Sequence, residues 1–227
     1  MAKKPSFIPE LIKTPLFQGI AEEELASLIK CAGCIFRSYK KGEAVFQAGD
    51  FVREIGLVIS GCVHIVKNDA FGNSNIFAEA ASGEMFAESF VCGGLGLLPM
   101  TVLAAKDAEV MFFDFQRIIT TCSSACMFHT ILIRNMVGIF ARKNMLLTEK
   151  MDHITKRTTR EKLLSYLSEQ SARQGRRSFE IPFNRQELAD YLSVDRSALS
   201  AEMSKLKAEA VIMYKKNHFE LLTGSDA

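Results

Sequence analysis

Residues 123–159, SSACMFHTILIRNMVGIFARKNMLLTEKMDHITKRTT, contain no proline and a single glycine. Nothing there interrupts a helix, and the apolar residues Phe128, Leu132, Met136, Ile139, Leu146 and Ile154 step mostly by three, four or seven positions. At a rise of 1.5 Å per residue the segment predicts a rod about 40 Å long. Such a rod splits the chain into an N-terminal and a C-terminal part. It is too long for one small barrel to cover every apolar face. Either it lies as a single amphipathic helix on its own sheet, or two copies of the chain pair along the seam, and symmetric pairing is the commonest assembly. The favoured expectation is a homodimer.

Ahead of the rod, from about 34 to 115, the texture is that of short strands. Gly42, Gly49, Gly56, Gly61, Gly72, Gly83, Gly93, Gly94 and Gly96 punctuate short alternating runs. In EIGLVISGCVHIV, residues Ile55, Leu57 and Ile59 point one way and Val58 the other, which is strand period. Strands of this number and spacing predict a sandwich or barrel. Residues 9–30 carry short helical patterns, clearest from Ala21 to Ile29 with Leu25, Leu28 and Ile29 on one face.

Behind the rod, TREKLLSYLSEQSAR predicts a helix with Leu163, Leu164 and Leu167 inward. A basic loop comes next, in which Arg173, Arg176 and Arg177 either face phosphate or are simply solvated. Asn184 is a predicted N-cap with Glu187 three residues on, and Leu188, Ala189 and Leu192 form the apolar side of that short helix. SVD interrupts, and Asp195 caps a second helix whose Leu199, Met203 and Leu206 repeat at i, i+4 and i+7. Arg196, Ser197, Ser200 and Lys205 are then left outward. VIMY and FELL flank KKNH, a hairpin with Lys215 and Lys216 at its tip. Two helices, a tight turn and a hairpin make a winged helix-turn-helix, whose second helix fits a major groove with its N-terminal residues at base edges. Arg196 has the donors for a guanine, or it contacts phosphate alone; Ser197 is tolerant.

Bulk properties constrain the rest. The chain has 227 residues, 48% of them hydrophobic, enough for a real core in one large or two small domains. Net charge is only +2, and residues from Asp152 onward carry 13 Lys+Arg against 11 Asp+Glu. Nucleic-acid binding would therefore rest on where charge is placed, not on its amount. MAKKPSFIPELIK has no apolar h-region, and no run reaches the roughly 18 apolar residues of a membrane span. A soluble, cytoplasmic protein with no membrane partner is expected, its six cysteines reduced.

Taken together, YKKGEAVFQAGD (39–50), GLVISGCVHIV (56–66), GEMFAES (83–89) and NRQELADYLSVDRSALSAEMSKL (184–206), with the closing wing, resemble the Crp/Fnr family of bacterial transcription regulators over nearly the whole chain. The resemblance implies an α+β architecture: a β-roll, jelly-roll effector domain with N-terminal helices (1–123), a long dimerisation helix (124–151) and a winged helix-turn-helix DNA-binding domain (152–227). It implies promoter DNA with a two-fold symmetric site, a small-molecule effector and RNA polymerase as partners. Arg196, Ser197, Ser200 and Ala201 fall where the family reads bases, with Lys205, Lys215 and Lys216 close by. Many members have an arginine where this chain has Ala201, so a family operator sequence does not transfer.

Cyclic-nucleotide binders of this family resemble one another in a phosphate cassette of Gly-Glu followed by Arg-Ser. Here Glu88 is retained, Ala87 replaces the glycine, and the Arg-Ser pair falls at about Leu98-Pro99. Nothing in CGGLGLLPMTVL is positive, and an unpaired buried phosphate costs several kcal/mol. Cyclic AMP does not fit, and the cofactor stays open. A pocket of Glu88, Ser89, Leu98, Pro99 and Met100 suits a less charged or aromatic effector, since some relatives sense small organic acids; alternatively those side chains only fill the roll.

A second reading is redox, gas or metal sensing. Cys31 and Cys34 have ligand-pair spacing, Cys62 and His64 share a strand face, and Cys122 and Cys126 sit one helical turn apart. Haem and a disulfide switch belong to this alternative. A cupin-like metalloenzyme needs several histidines converging in the barrel, and His64, His129, His153 and His218 are scattered, so no enzyme activity and no metal are expected.

Overall fold

The computed structural model describes residues 7–68, 74–120 and 127–222. The chain divides into two compact units, Met1–Phe140 and Ala141–Ala227.

The first unit opens with α1 (Ile8–Leu11), a 3-10 turn at Pro15–Phe17 and α2 (Glu22–Cys31). Strands β1 (Ile35–Tyr39), β2 (Ala44–Phe46), β3 (Glu54–Ser60), β4 (Cys62–Asn68), β5 (Ser74–Ala81) and β6 (Met85–Phe86) come next, then α3 (Glu88–Cys92), β7 (Thr101–Ala104), β8 (Ala108–Asp114) and α4 (Phe115–Ile119). The strands form two antiparallel sheets, β1-β8-β3-β6 and β2-β7-β4-β5, which is the expected roll. Alternation along β3 sorts its side chains between two cores. Ile55, Leu57 and Ile59 join Met111 and Phe113 of β8 beneath α1 and α2, where Leu25, Leu28 and Ile29 also lie. Val58 turns the other way, to Val45, Val63, Val102, Val110 and Phe112 inside the roll. Each such side chain contributes about 1.5–3 kcal/mol on burial. Gly56 of β3 is required because the Phe86 ring lies on it: a Cβ there would stand 2.1 Å from Phe86 Cζ.

The long helix, α5, runs Met127–Ile154 without a break and crosses from the first unit into the second. Its predicted seam is already covered in part. Leu132 and Met136 are buried with α1 and α2 in their own unit, so the single-chain reading holds there. Leu146 is 58% exposed instead. A different row, Val137, Ala141, Asn144, Thr148 and Met151, lies open along the helix at coiled-coil spacing.

In the second unit, α6 (Thr159–Gln174) is opened by a Thr158–Glu161 capping box and closed by Gly175 in the left-handed region. Then come β9 (Ser178–Glu180), α7 (Arg185–Tyr191), α8 (Arg196–Ala208), β10 (Ile212–Lys215) and β11 (His218–Leu221), the strands ordered β10-β11-β9. Leu163 and Leu167 point inward as expected, Leu164 only partly, and Tyr166 joins them. Two arginines of the basic stretch have partners within their own unit. Arg173 forms ion pairs with Glu149 and Glu169, and Arg176 donates to Gln174 Oε1 at 3.0 Å.

Candidate nucleic-acid interface

The helix pair is fixed by its caps. Asn184 Oδ1 accepts from the backbone N–H groups of Gln186 (2.9 Å) and Glu187 (3.0 Å), and Glu187 Oε2 accepts from Asn184 N at 2.7 Å. This reciprocal box starts α7 where the sequence indicated. The turn is closed by Ser193, whose φ of 52° is left-handed. Asp195 then caps α8, accepting from Ser197 N at 2.7 Å and Ala198 N at 3.1 Å. The Ser197 hydroxyl also donates a hydrogen bond to this carboxylate. That hydroxyl bond first, then the two backbone bonds, hold the Asp195 carboxyl below its usual range.

Packing decides which face of α8 is presented. Leu199, Met203 and Leu206 are each 0% exposed, buried with Leu163, Leu167, Leu188, Ala189 and Leu192. Arg196, Ser197, Ala201 and Lys205 are exposed and Ser200 is half-buried. Lys205 lies 3.7 Å from Glu202, and Arg160 of α6 pairs with Glu202 (3.4 Å) and Glu209 (2.6 Å), locking α8 to α6. In the wing, Lys215 ends β10 opposite His218, and Lys216 turns the corner at φ 57°. Both lysines are exposed.

One residue escaped the sequence reading. Arg185, the first of α7, stacks its guanidinium on the Tyr214 ring at 5.1 Å, and its Nη1 is buried without a hydrogen-bond partner among the described residues. Burial, and then Arg196 nearby, hold its pKa below the usual arginine value against the opposing effect of Tyr214. It lines a cleft of 460 Å³ with Asn184, Lys216 and Asn217. The signal was present only as an arginine directly after an N-cap, which local periodicity does not mark.

The C-terminal end of α5 is tied into the same unit by a polar cluster. His153 is 2% exposed. Its Nε2 meets Glu169 Oε2 at 2.8 Å and its Nδ1 meets Ser165 Oγ at 2.9 Å, with Tyr166 edge-on to the ring. Residues 155–158 then separate α5 from α6.

In the roll, the expected effector residues are spread over depth. Glu88 starts α3 and is buried, Leu98 is buried, Met100 is half-buried, and Ser89 and Pro99 are exposed. Ala87 keeps the left-handed conformation natural to glycine, φ 64°. Among the valines of the roll interior lies a group of aromatic rings. Phe46, Phe86 and Phe112 meet edge to face with centroids 5.5–6.3 Å apart, and Tyr39 adds a contact at 6.4 Å. Arg37 sits with its guanidinium 5.4 Å from the centre of the Phe112 ring. Among the cysteines, burial pushes the Cys34 thiol up to about 12, and burial aided by Glu88 pushes Cys92 up to about 11. Both thiols therefore stay protonated and poorly reactive. Cys122 and Cys126 lie outside the described residues.

A β-roll with a helix-turn-helix and wing defines a class of DNA-binding regulators, and comparison with known proteins agrees. The family of cyclic nucleotide-binding domains matches residues 36–124, and that of Crp-like helix-turn-helix domains matches 161–223. The chain belongs to the Crp/Fnr family of transcription regulators. No curated protein sequence matches it. Among solved structures, DNR from Pseudomonas aeruginosa is 21% identical, with 98% of this chain and 96% of that one covered and a TM-score of 0.50. The c-di-GMP responsive global regulator CLP of Xanthomonas campestris is 17% identical, covering 90% and 100%, with a TM-score of 0.53. CprK complexed with OCPA is 16% identical, covering 88% and 90%, with a TM-score of 0.55. These likenesses concern the fold. No helix among the described residues is long and apolar enough to cross a membrane.

Proposed function

We propose that the chain acts as a homodimer on a two-fold symmetric promoter site, under control of a small, weakly charged effector in the roll. Arg196, Ser197, Ser200 and Ala201 meet base edges, while Lys205, Lys215, Lys216 and Arg185 meet phosphates. The carrying observation is the complete burial of Leu199, Met203 and Leu206, which turns the opposite face of α8 to solvent with Arg196 at its first turn. RNA polymerase is the further partner of such a regulator. The apolar stretch 92–103, which has no basic residue, favours a less charged or aromatic effector over a cyclic nucleotide.

Titration of fluorescent promoter DNA followed by anisotropy tests the reading. Arg196→Ala is expected to cost about 1–3 kcal/mol on the cognate site and little on random DNA. Equal weakening on both would remove Arg196 from base reading. Native mass spectrometry of protein purified without oxygen tests the effector: a retained aromatic acid supports the reading, and a retained cyclic nucleotide overturns it.

A further inference from the structure

We propose that Cys62, His64 and Glu79 form a binding site for a divalent transition-metal ion of the zinc type on the outer face of the roll. The first two residues lie two apart on β4, so their side chains leave the same face of the strand. Val63 between them points the other way, into the roll core. The third comes from β5, whose antiparallel register sets Glu79 directly opposite His64. The Cys62 sulfur, a His64 ring nitrogen and a Glu79 carboxylate oxygen all lie within 4.8 Å of one another. His64 Nε2 and Glu79 Oε2 are already 3.0 Å apart.

Ligands around a tetrahedral zinc ion stand roughly 3.3–3.8 Å apart, given metal–ligand bonds of about 2.0–2.3 Å. Small side-chain rotations bridge the difference, and the long, exposed Glu79 is free to make them. The chemistry of the donor set narrows the ion. A thiolate and an imidazole beside one carboxylate select a borderline transition metal and disfavour magnesium or calcium, which want oxygen alone. Three protein ligands leave a fourth position for water or a small molecule.

Depth is graded as such a site needs. Cys62 is 5% exposed, whereas the side chains of His64 and Glu79 are 29% and 55% exposed. The sulfur thus anchors from below and the carboxylate closes from above. A His–Glu pair across two strands accounts for itself as a polar contact, but it does not call for a thiol at its base. Among the described residues this is the one group of three such donors that converges. The position also gives the ion a mechanical role. Among the described residues, strand β5 is the edge of its sheet and pairs with β4 alone. An ion ligated from both strands clips that edge.

The test uses the full-length chain, reduced and stripped of metal, titrated with Co²⁺ as a spectroscopic substitute for Zn²⁺. One equivalent is expected to bind with a thiolate-to-cobalt charge-transfer band in the near ultraviolet and intense visible bands of four-coordinate geometry, all removed by adding Zn²⁺. The bands should survive in the double variant Cys31→Ser, Cys34→Ser and disappear in Cys62→Ser. Glu79→Gln, at an exposed position that leaves packing intact, should weaken Co²⁺ binding at least tenfold. Absence of the charge-transfer band from the unaltered protein overturns the proposal. So does its persistence in Cys62→Ser, its loss from the Cys31, Cys34 double variant, or unchanged affinity in Glu79→Gln. None of these readouts involves DNA, so the outcome is independent of the regulator reading.

Discussion

Gly56 and Phe86 share one space: the ring occupies the volume where any other residue at 56 would carry its Cβ. Gly56→Ala should therefore destabilise the roll by about 1–3 kcal/mol, the usual range for overpacking a filled core, as measured by urea unfolding. If stability is unchanged, Phe86 has room to move and the roll interior is looser than its ring contacts indicate. At this scale the sequence was informative wherever a residue's role is set by its own strand or helix. Leu199, Met203 and Leu206 were legible because their spacing alone dictates a common face. The Asn184 and Asp195 caps were legible because capping is local chemistry. Glu79 was not, since its pairing with His64 depends on strand register, fifteen residues away in sequence. Arg185 was missed for a similar reason: Tyr214, on which it stacks, comes from the wing.

Among the elements, α5 shows how one pattern serves two surfaces. Periodicity correctly gave a continuous helix, yet the same periodicity could not say which apolar positions the chain covers by itself. Leu132 and Met136 are covered by the helices of the first unit. Val137 and Met151, 60% and 59% exposed, are left open for the second copy in the proposed homodimer. Val137→Glu should shift the protein toward monomer in sedimentation velocity and lower affinity for a two-fold site, while far-ultraviolet dichroism stays as before. An unaltered dimer would move the interface to another face. The other end of the helix makes a separate prediction. His153 is held between Ser165 and Glu169 in a buried position, and a hydrogen bond to a charged group contributes about 1.5–3 kcal/mol. His153→Ala should lower the stability of the second unit by that amount in thermal unfolding. A loss under about 0.5 kcal/mol, the range of ordinary surface substitutions, would show that Arg173 alone satisfies Glu169.

For the molecule as a whole, a formal charge of +2 gives no general attraction for a polyanion, so affinity for DNA depends on a few placed cations. Lys215→Ala should reduce the slope of log affinity against log salt by about 1 for each half-site, uniformly across sequences. An unchanged slope would take the wing off the backbone. The order of roll, rod and reading head was legible from changes of texture along the chain. The filling of the roll was not, because Phe46, Phe86 and Phe112 come from different strands and only the closed sheets bring their rings together. In a two-fold assembly every feature of the reading helix occurs twice, and one of them has a chemical sign. The Ser197 hydroxyl already donates its hydrogen bond to Asp195, whose ionised carboxylate is an acceptor only. Its oxygen would arrive at a duplex with lone pairs alone, suited to the amino groups of adenine and cytosine and indifferent to the acceptor edge of guanine, once in each half-site.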